Sequence, residues 1–192
     1  MPPFSLQTRP ASAHDLAGIL ELQDRNLYAH LDEAQRQQGF VTTAFTEAQL
    51  LTLLEQRGIF VALADDRVIG YALAGSWEFF SQWPIFPFMQ ARLPQLRFQA
   101  QEITVANSFQ YGPVCVDAAF RGKAVFPQLF ECMRLSLCQR YPIGVTFINR
   151  LNTHSYHAHT KKLGMQVIDT FEFNERPYYG LAFEMQRSVI DN

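Results

Sequence analysis

Between Val114 and Pro127 the chain reads VCVDAAFRGKAVFP: an apolar run ending at Asp117, a turn carrying Arg121, Gly122 and Lys123, then the start of a helix. Backbone N–H groups at a helix N-terminus lack internal partners and lie at the positive end of the helix dipole. Such a turn suits a phosphate or pyrophosphate, with Gly122 permitting close approach and Arg121 and Lys123 adding charge. Pro127 fits, because the first helical turn demands no N–H there. An ordinary basic strand–helix turn would carry the same residues.

A second segment, Asn152 to Met165 (NTHSYHAHTKKLGM), gathers His154, His157 and His159. On a helix His154 and His157 lie about 60° apart, but His159 lies about 140° from His154. Only two could share a metal ion, and no HExxH pattern is present, so no metal site is expected. Cys115 sits in an apolar run with no base paired to it, which reads as a buried, inert thiol.

The elements that must position these residues follow from periodicity. Phe4, Leu6 and Thr8 alternate before Pro10 as a first strand. Ser12 with Asp15 signals a helix start, and Leu16, Ile19, Leu20 and Leu27 recur at helical spacing. Thr46 with Gln49 caps a second helix, with Leu50, Leu53 and Leu54 inside and Gly58 as its stop. Residues 59–64 and 68–74 form a hairpin around Asp65-Asp66-Arg67. Strands are expected at 109–117, 143–149, 166–173 and 178–186, and helices at about 123–140 and 153–163. This order describes a mixed α/β domain.

The strand–turn–helix at 114–127 resembles the acyl-CoA-binding motif of the GNAT superfamily of N-acetyltransferases, which runs strand, Arg/Gln-x-x-Gly-x-Gly/Ala, helix. Arg121 takes the first place, and Ala124 and Phe126 stand at the two glycine positions. The segment 152–165 resembles the superfamily's other signature, in which Asn, a small residue, an aromatic or His, and Leu-Gly-Phe share one helix. Asn152, Ser155, His159 and Leu163-Gly164-Met165 fill it, with one residue more between His159 and Gly164. That extra residue leaves the acid position between His159 and Thr160. The motifs stand in the right order, about 30 residues apart.

The resemblance implies an α+β fold: a mixed, mostly antiparallel central sheet flanked by helices on both faces. It implies one acyltransferase domain over 1–192, with an aromatic-rich insertion at about 77–100. It also implies acetyl-CoA as co-substrate and direct transfer of its acetyl group to a primary amine of a small molecule or peptide. The main chain of Val114, Cys115 and Val116 would hold the pantetheine arm. Residues Arg121, Gly122, Lys123, Ala124, Val125 and Phe126 would surround the phosphates, and Asn152, Ser155 and His159 would flank the arm. Lys161 and Lys162 would lie near the phosphates or cap a solvated helix end.

Acetyl transfer needs a neutral amine, donors for the developing oxyanion and a proton for the departing thiolate. The resemblance offers His159 as the acid, since imidazole donates near neutral pH. Tyr156 is the alternative, and a thiol pKa of ~8.5 makes a dedicated acid dispensable. For a general base Glu78 is preferred over Glu102 and Asp117, because the end of the third strand commonly borders the acceptor site in this superfamily. A water relay would serve equally well. Two other readings stay open: a CoA-binding sensor without turnover, and a transferase using another acyl-CoA.

Composition sets the bounds. At 192 residues the chain is one domain, able to bury roughly 70% of its unfolded surface without a staple. A net charge of −2 argues against a general nucleic-acid binder. Three cysteines form no paired framework, which points to a reducing, cytoplasmic setting. No run of about 18 apolar residues exists, so neither a membrane span nor a signal peptide is expected. Aromatic residues are in excess, and Trp77, Phe79, Phe80, Trp83, Phe86 and Phe88 crowd into one stretch. Left exposed they would make an unusually large apolar patch. They therefore cover the core, line an acceptor pocket, or form a subunit contact as in a homodimer.

Overall fold

The computed structural model describes residues 4–190. The chain begins with β1 (Leu6–Pro10) and α1 (Leu16–Asp24). Their junction is fixed by Asp15, whose carboxylate accepts from the Ser12 N–H at 2.7 Å and from the Arg9 guanidinium at 2.8 and 2.9 Å. Leu27 lies beyond the end of α1, which stops at Asp24, and bridges to Val41 instead. A short α2 (Glu33–Arg36) and an irregular segment lead to α3 (Glu47–Glu55), where Thr46 and Gln49 form the expected reciprocal cap. The left-handed residue ending α3 is Arg57, at φ 57°, and not Gly58. Gly58 answers a different need: a Cβ there would lie 2.0 Å from the Ala74 carbonyl oxygen.

The hairpin is β2 (Ile59–Ala64) and β3 (Arg67–Gly75), joined at Asp65 and Asp66, both at positive φ as a two-residue type I′ turn requires. The aromatic stretch folds as α4 (Trp77–Phe80), α5 (Ile85–Arg92) and the small ribbon β4 (Arg97–Phe98) and β5 (Gln101–Glu102). Then come β6 (Ser108–Val116), α6 (Val125–Leu137), β7 (Ile143–Asn149), α7 (Thr153–His157) continued by a π-helical turn at 158–162, and the closing pair β8 (Gln166–Phe173) and β9 (Arg176–Glu184).

Seven strands form one sheet in the order β1-β2-β3-β6-β7-β9-β8. Every pairing is antiparallel except β6 with β7. One face is covered by α6, with Leu129, Phe130 and Met133 against Phe109, Tyr111 and Leu181. The other is covered by α1 and α3, with Ile19, Leu22, Leu50 and Leu53 against Val61, Tyr71 and Leu73. This is the expected mixed, mostly antiparallel sheet with helices on both faces.

The feature that positions the site is a failure of pairing. Strands β6 and β7 are in register only from Ser108 to Gln110 and from Ile143 to Val145. Past Gln110 a bulge at Gly112–Pro113 shifts the register of β6 against β3, and β6 and β7 diverge. A wedge-shaped gap opens between them, toward the N-terminus of α6 and toward α7.

The aromatic residues are mostly core. Trp77, Phe79, Phe80 and Phe86 are buried, and the Trp77 Nε1–H donates to the Ser108 hydroxyl at 3.0 Å. Phe88 packs against Phe171 and Phe173 on β8.

Candidate active site

Main-chain chemistry on β6 follows from its pairing with β3. The Asp117 N–H donates to the Ile69 carbonyl at 2.8 Å, which makes Ile69 and Asp117 a hydrogen-bonded pair. Such pairs alternate along an antiparallel ladder, so Tyr71 and Cys115 form the next one. Cys115 therefore turns its N–H and C=O toward β3, while Val114 and Val116 turn theirs into the gap. Of the three residues expected to hold a pantetheine arm, two turn main-chain groups into the gap. Arg121 takes one of these acceptors, donating through Nε to the Val116 carbonyl at 3.0 Å.

At the end of β6, Gly122 has φ +80° and Ala124 has φ 59°. These left-handed residues turn the chain into α6, with Ala124 as its N-cap and Pro127 in the first turn. A groove runs from this turn along β6 to α7, lined by Val114, Cys115, Val116, Arg121, Gly122, Ala124, Val125, Phe126, Asn152, Ser155 and His159. Lys162 and His154 line it as well. Lys123 does not; its ammonium sits over the rings of Phe4 and Phe120 at 5.6 and 5.2 Å. The His154 pKa is lowered, by burial first and then by the charges of Arg121, Lys162 and His157, which records how cationic this mouth is. Free N–H groups of a helix start, two left-handed residues and a basic rim fit a phosphate-bearing ligand.

A second pocket opens from the groove and shares Phe40, Val41, Val114, Asn152, Ser155 and His159 with it. Its other walls come from Thr42 and Thr43, Phe86, the Gly112–Pro113 bulge and the β7 residues Thr146 to Asn149. Phe86 is the one aromatic of the 77–88 stretch that reaches it.

His159 stands where the two spaces meet. It is 3% exposed, and its Nδ1 lies 2.7 Å from the Ser155 carbonyl oxygen. A carbonyl only accepts, so Nδ1 carries the proton of the neutral ring and Nε2 holds the lone pair. Burial pushes the ring's pKa down to about 4, against the smaller opposing effect of that hydrogen bond. At neutral pH the ring is uncharged, with its N–H committed to Ser155. This is the wrong state for the expected proton donor and the right one for a hydrogen-bond acceptor.

The two other candidate acid–base residues are not brought here. Ser155 and His159 lie four apart on one helical face, so Tyr156 is rotated away and packs on Tyr179 at 4.6 Å. Glu78 lies on α4, whose Trp77, Phe79 and Phe80 are buried, and this leaves its own side chain exposed beside Gln49 and Gln56. Asp117 pairs with Arg67 at 2.8 Å and caps the following turn. Burial pushes the Cys115 thiol up to about 12, which holds it protonated at neutral pH. No group of three or more His, Cys, Asp or Glu able to hold a metal ion exists among the described residues.

Segment 38–43 contributes to both spaces without any motif to announce it. The Asn152 Nδ2 donates to the Phe40 carbonyl at 3.1 Å, and Arg121 donates to the Gln38 carbonyl. These bonds fold the segment over the open end of the sheet.

No protein-family model matches the chain, and no curated protein matches it in sequence. Solved structures do match in fold. An N-acetyltransferase from Staphylococcus aureus Mu50 superposes with a TM-score of 0.61 at 19% identity, over 94% of this chain and 99% of that one. A Salmonella typhimurium protein solved with its cofactor acetyl-CoA gives a TM-score of 0.63 at 17% identity, covering 94% of each chain. A GNAT-family acetyltransferase from Streptococcus agalactiae gives 0.66 at 13% identity, over 95% of this chain and 97% of that one. The likeness spans nearly the whole length in each case, and it is one of architecture: the chain has the fold of the GNAT N-acetyltransferases.

Proposed function

We propose that this chain is an N-acyltransferase that moves the acetyl group of acetyl-CoA to an amine by direct attack. The observation that carries this reading is the joining of two unlike spaces at one ring. A basic groove built along the main-chain edge of β6 meets an uncharged pocket at Val114 and His159. Acetyl-CoA, which the Salmonella typhimurium neighbour binds, supplies an activated thioester and an anionic handle.

The chain's own groups then have definable work. Backbone N–H groups at the start of α6, with Arg121 and Lys162, hold the phosphates. Val114 and Val116 pair with the amide-bearing arm as a neighbouring strand would. The Val114 N–H, aimed into the gap, is the donor available to the thioester oxygen as charge develops on it. His159 Nε2 accepts the acceptor's N–H and orients its lone pair. The new C–N bond forms, the thioester C–S bond breaks, and the nitrogen's proton ends on the departing sulfur. A thiol pKa of ~8.5 lets that step proceed without a dedicated acid.

Acetyl-CoA at about 100 times its Kd is expected to stabilise the protein by about 2.7 kcal/mol. Absence of any thermal shift at millimolar concentration would remove the CoA site. Thiol release across an amine panel separates an enzyme from a sensor. A His159→Leu variant is expected to keep acetyl-CoA binding and lose turnover; unchanged kcat would take His159 out of the reaction.

A further inference from the structure

The groove and the second pocket differ sharply in charge. Arg121, His154 and Lys162 line the groove. None of the residues lining the second pocket is Asp, Glu, Lys or Arg. Its polar groups are hydroxyls such as Thr42, Thr43 and Thr146, side-chain amides and the neutral His159 ring, set among Phe40, Phe86 and Phe147. Outside the pocket, behind Phe40, two arginines flank one tyrosine ring. The Phe40 ring packs on Tyr28 at 4.9 Å, and the guanidinium groups of Arg36 and Arg176 lie 4.0 and 5.8 Å from the Tyr28 ring centre. Among the described residues neither arginine forms an ion pair.

An alkylammonium entering this pocket loses water and meets no carboxylate among the residues that line it. Desolvation acts against the cation, and no charge in the lining offsets it. A lysine-type amine, with a pKa near 10.4, is neutral in only about one molecule per few thousand at pH 7. A pocket with a carboxylate could bind the abundant cation and then strip its proton, whereas this one has to wait for the rare neutral form. An amine that is already neutral suffers neither penalty, and an aromatic body matches the phenylalanine walls.

We propose that the acceptor is a weakly basic amine of the arylamine class, and that the uncharged wall of Thr42, Thr43 and Thr146 excludes alkylammonium acceptors. This rests on the N-acyltransferase reading above.

The test compares aniline, 4-aminobenzoate, benzylamine and Nα-acetyl-lysine as acceptors by thiol release from acetyl-CoA. Aniline and 4-aminobenzoate are expected to exceed benzylamine in kcat/KM at pH 7 by about tenfold or more, with the benzylamine value rising about tenfold per pH unit and the aniline value flat. Thr43→Asp, in a half-exposed position that tolerates a carboxylate, is expected to move the aniline-to-benzylamine ratio toward benzylamine by about tenfold. Equal or better use of benzylamine or Nα-acetyl-lysine at pH 7 overturns the proposal, as does a ratio unmoved by Thr43→Asp. Acetyl-CoA binding without thiol release from either arylamine also overturns it and leaves the donor site standing. Failure to bind acetyl-CoA at all instead overturns the transferase reading.

Discussion

Two residues of the turn before α6, Gly122 and Ala124, share a backbone hand but not a side chain. Gly122 occupies its left-handed conformation without strain, and a Cβ placed there would meet nothing within 4 Å. Ala124 occupies the same region with a Cβ, at about 1–2 kcal/mol relative to a right-handed residue. Ala124→Gly is therefore expected to stabilise the fold by roughly 0.5–1 kcal/mol, the relief of strain less about 0.4–1 kcal/mol of unfolded-state entropy. Gly122→Ala is expected to lose about 1 kcal/mol through backbone strain alone. Chemical denaturation of the pair gives opposite signs if the turn is as described. In the sequence Ala124 looks like a lost glycine of the motif, yet its backbone keeps the left-handed conformation that glycine favours. The other substituted position, Phe126, lies within α6, where its ring packs on His159 at 5.0 Å. What a one-dimensional pattern could not convey is that this bulk is used as a wall of the site.

At the scale of elements, local spacing was legible and long-range closure was not. The capping boxes at Ser12 and Thr46, the hairpin at Asp65-Asp66 and the span of β7 follow from residues a few positions apart. The extra residue between His159 and Gly164, visible in the sequence as a misfit to the motif, is taken up by the π-helical turn at 158–162. That turn keeps both His159 and Leu163 buried. Segment 38–43 is different, because its anchor at Asn152 lies 112 positions away. Glu78 lies outside both spaces for the same reason: the burial of its neighbours, set by tertiary packing, decides which way it points. Asn152 ties the segment to α7, accepting from the Ser155 N–H at 3.1 Å while donating to Phe40. Asn152→Asp keeps the cap and loses the donor, so it is expected to preserve stability within about 1 kcal/mol while weakening acetyl-CoA binding. Asn152→Ala loses both and is expected to cost about 1 kcal/mol more. Calorimetric titration with acetyl-CoA beside urea unfolding separates the two effects, and equal binding by the aspartate variant and the parent would show that the segment does not depend on that bond.

Over the whole molecule, the ring that joins the two spaces also makes the fold acid-sensitive. Unfolded, His159 has a pKa near 6.5, whereas burial in the folded protein lowers it to about 4. As pH falls, the unfolded chain binds the proton first, so stability is full above about pH 6.5 and drains away toward pH 4. Linkage puts the loss at about 2 kcal/mol by pH 5 and roughly 3 kcal/mol at the bottom of the window. His154, lowered chiefly by its partial burial, acts in the same direction. Glu131, held down mainly by its hydrogen bond to Arg134, adds its own loss only once pH falls through the ordinary carboxylate range. The window above that range therefore belongs largely to the two histidines, and His159 dominates because it is the deeply buried one. Unfolding in urea at about pH 7.5 and about pH 5 should reveal this difference in the parent, and His159→Leu should remove most of it. The same substitution is expected to abolish turnover, so acid tolerance and activity move in opposite directions in one variant. A His159→Leu protein as acid-sensitive as the parent would mean that the proton is taken up elsewhere, and that the ring at the junction of groove and pocket is not held neutral by the fold.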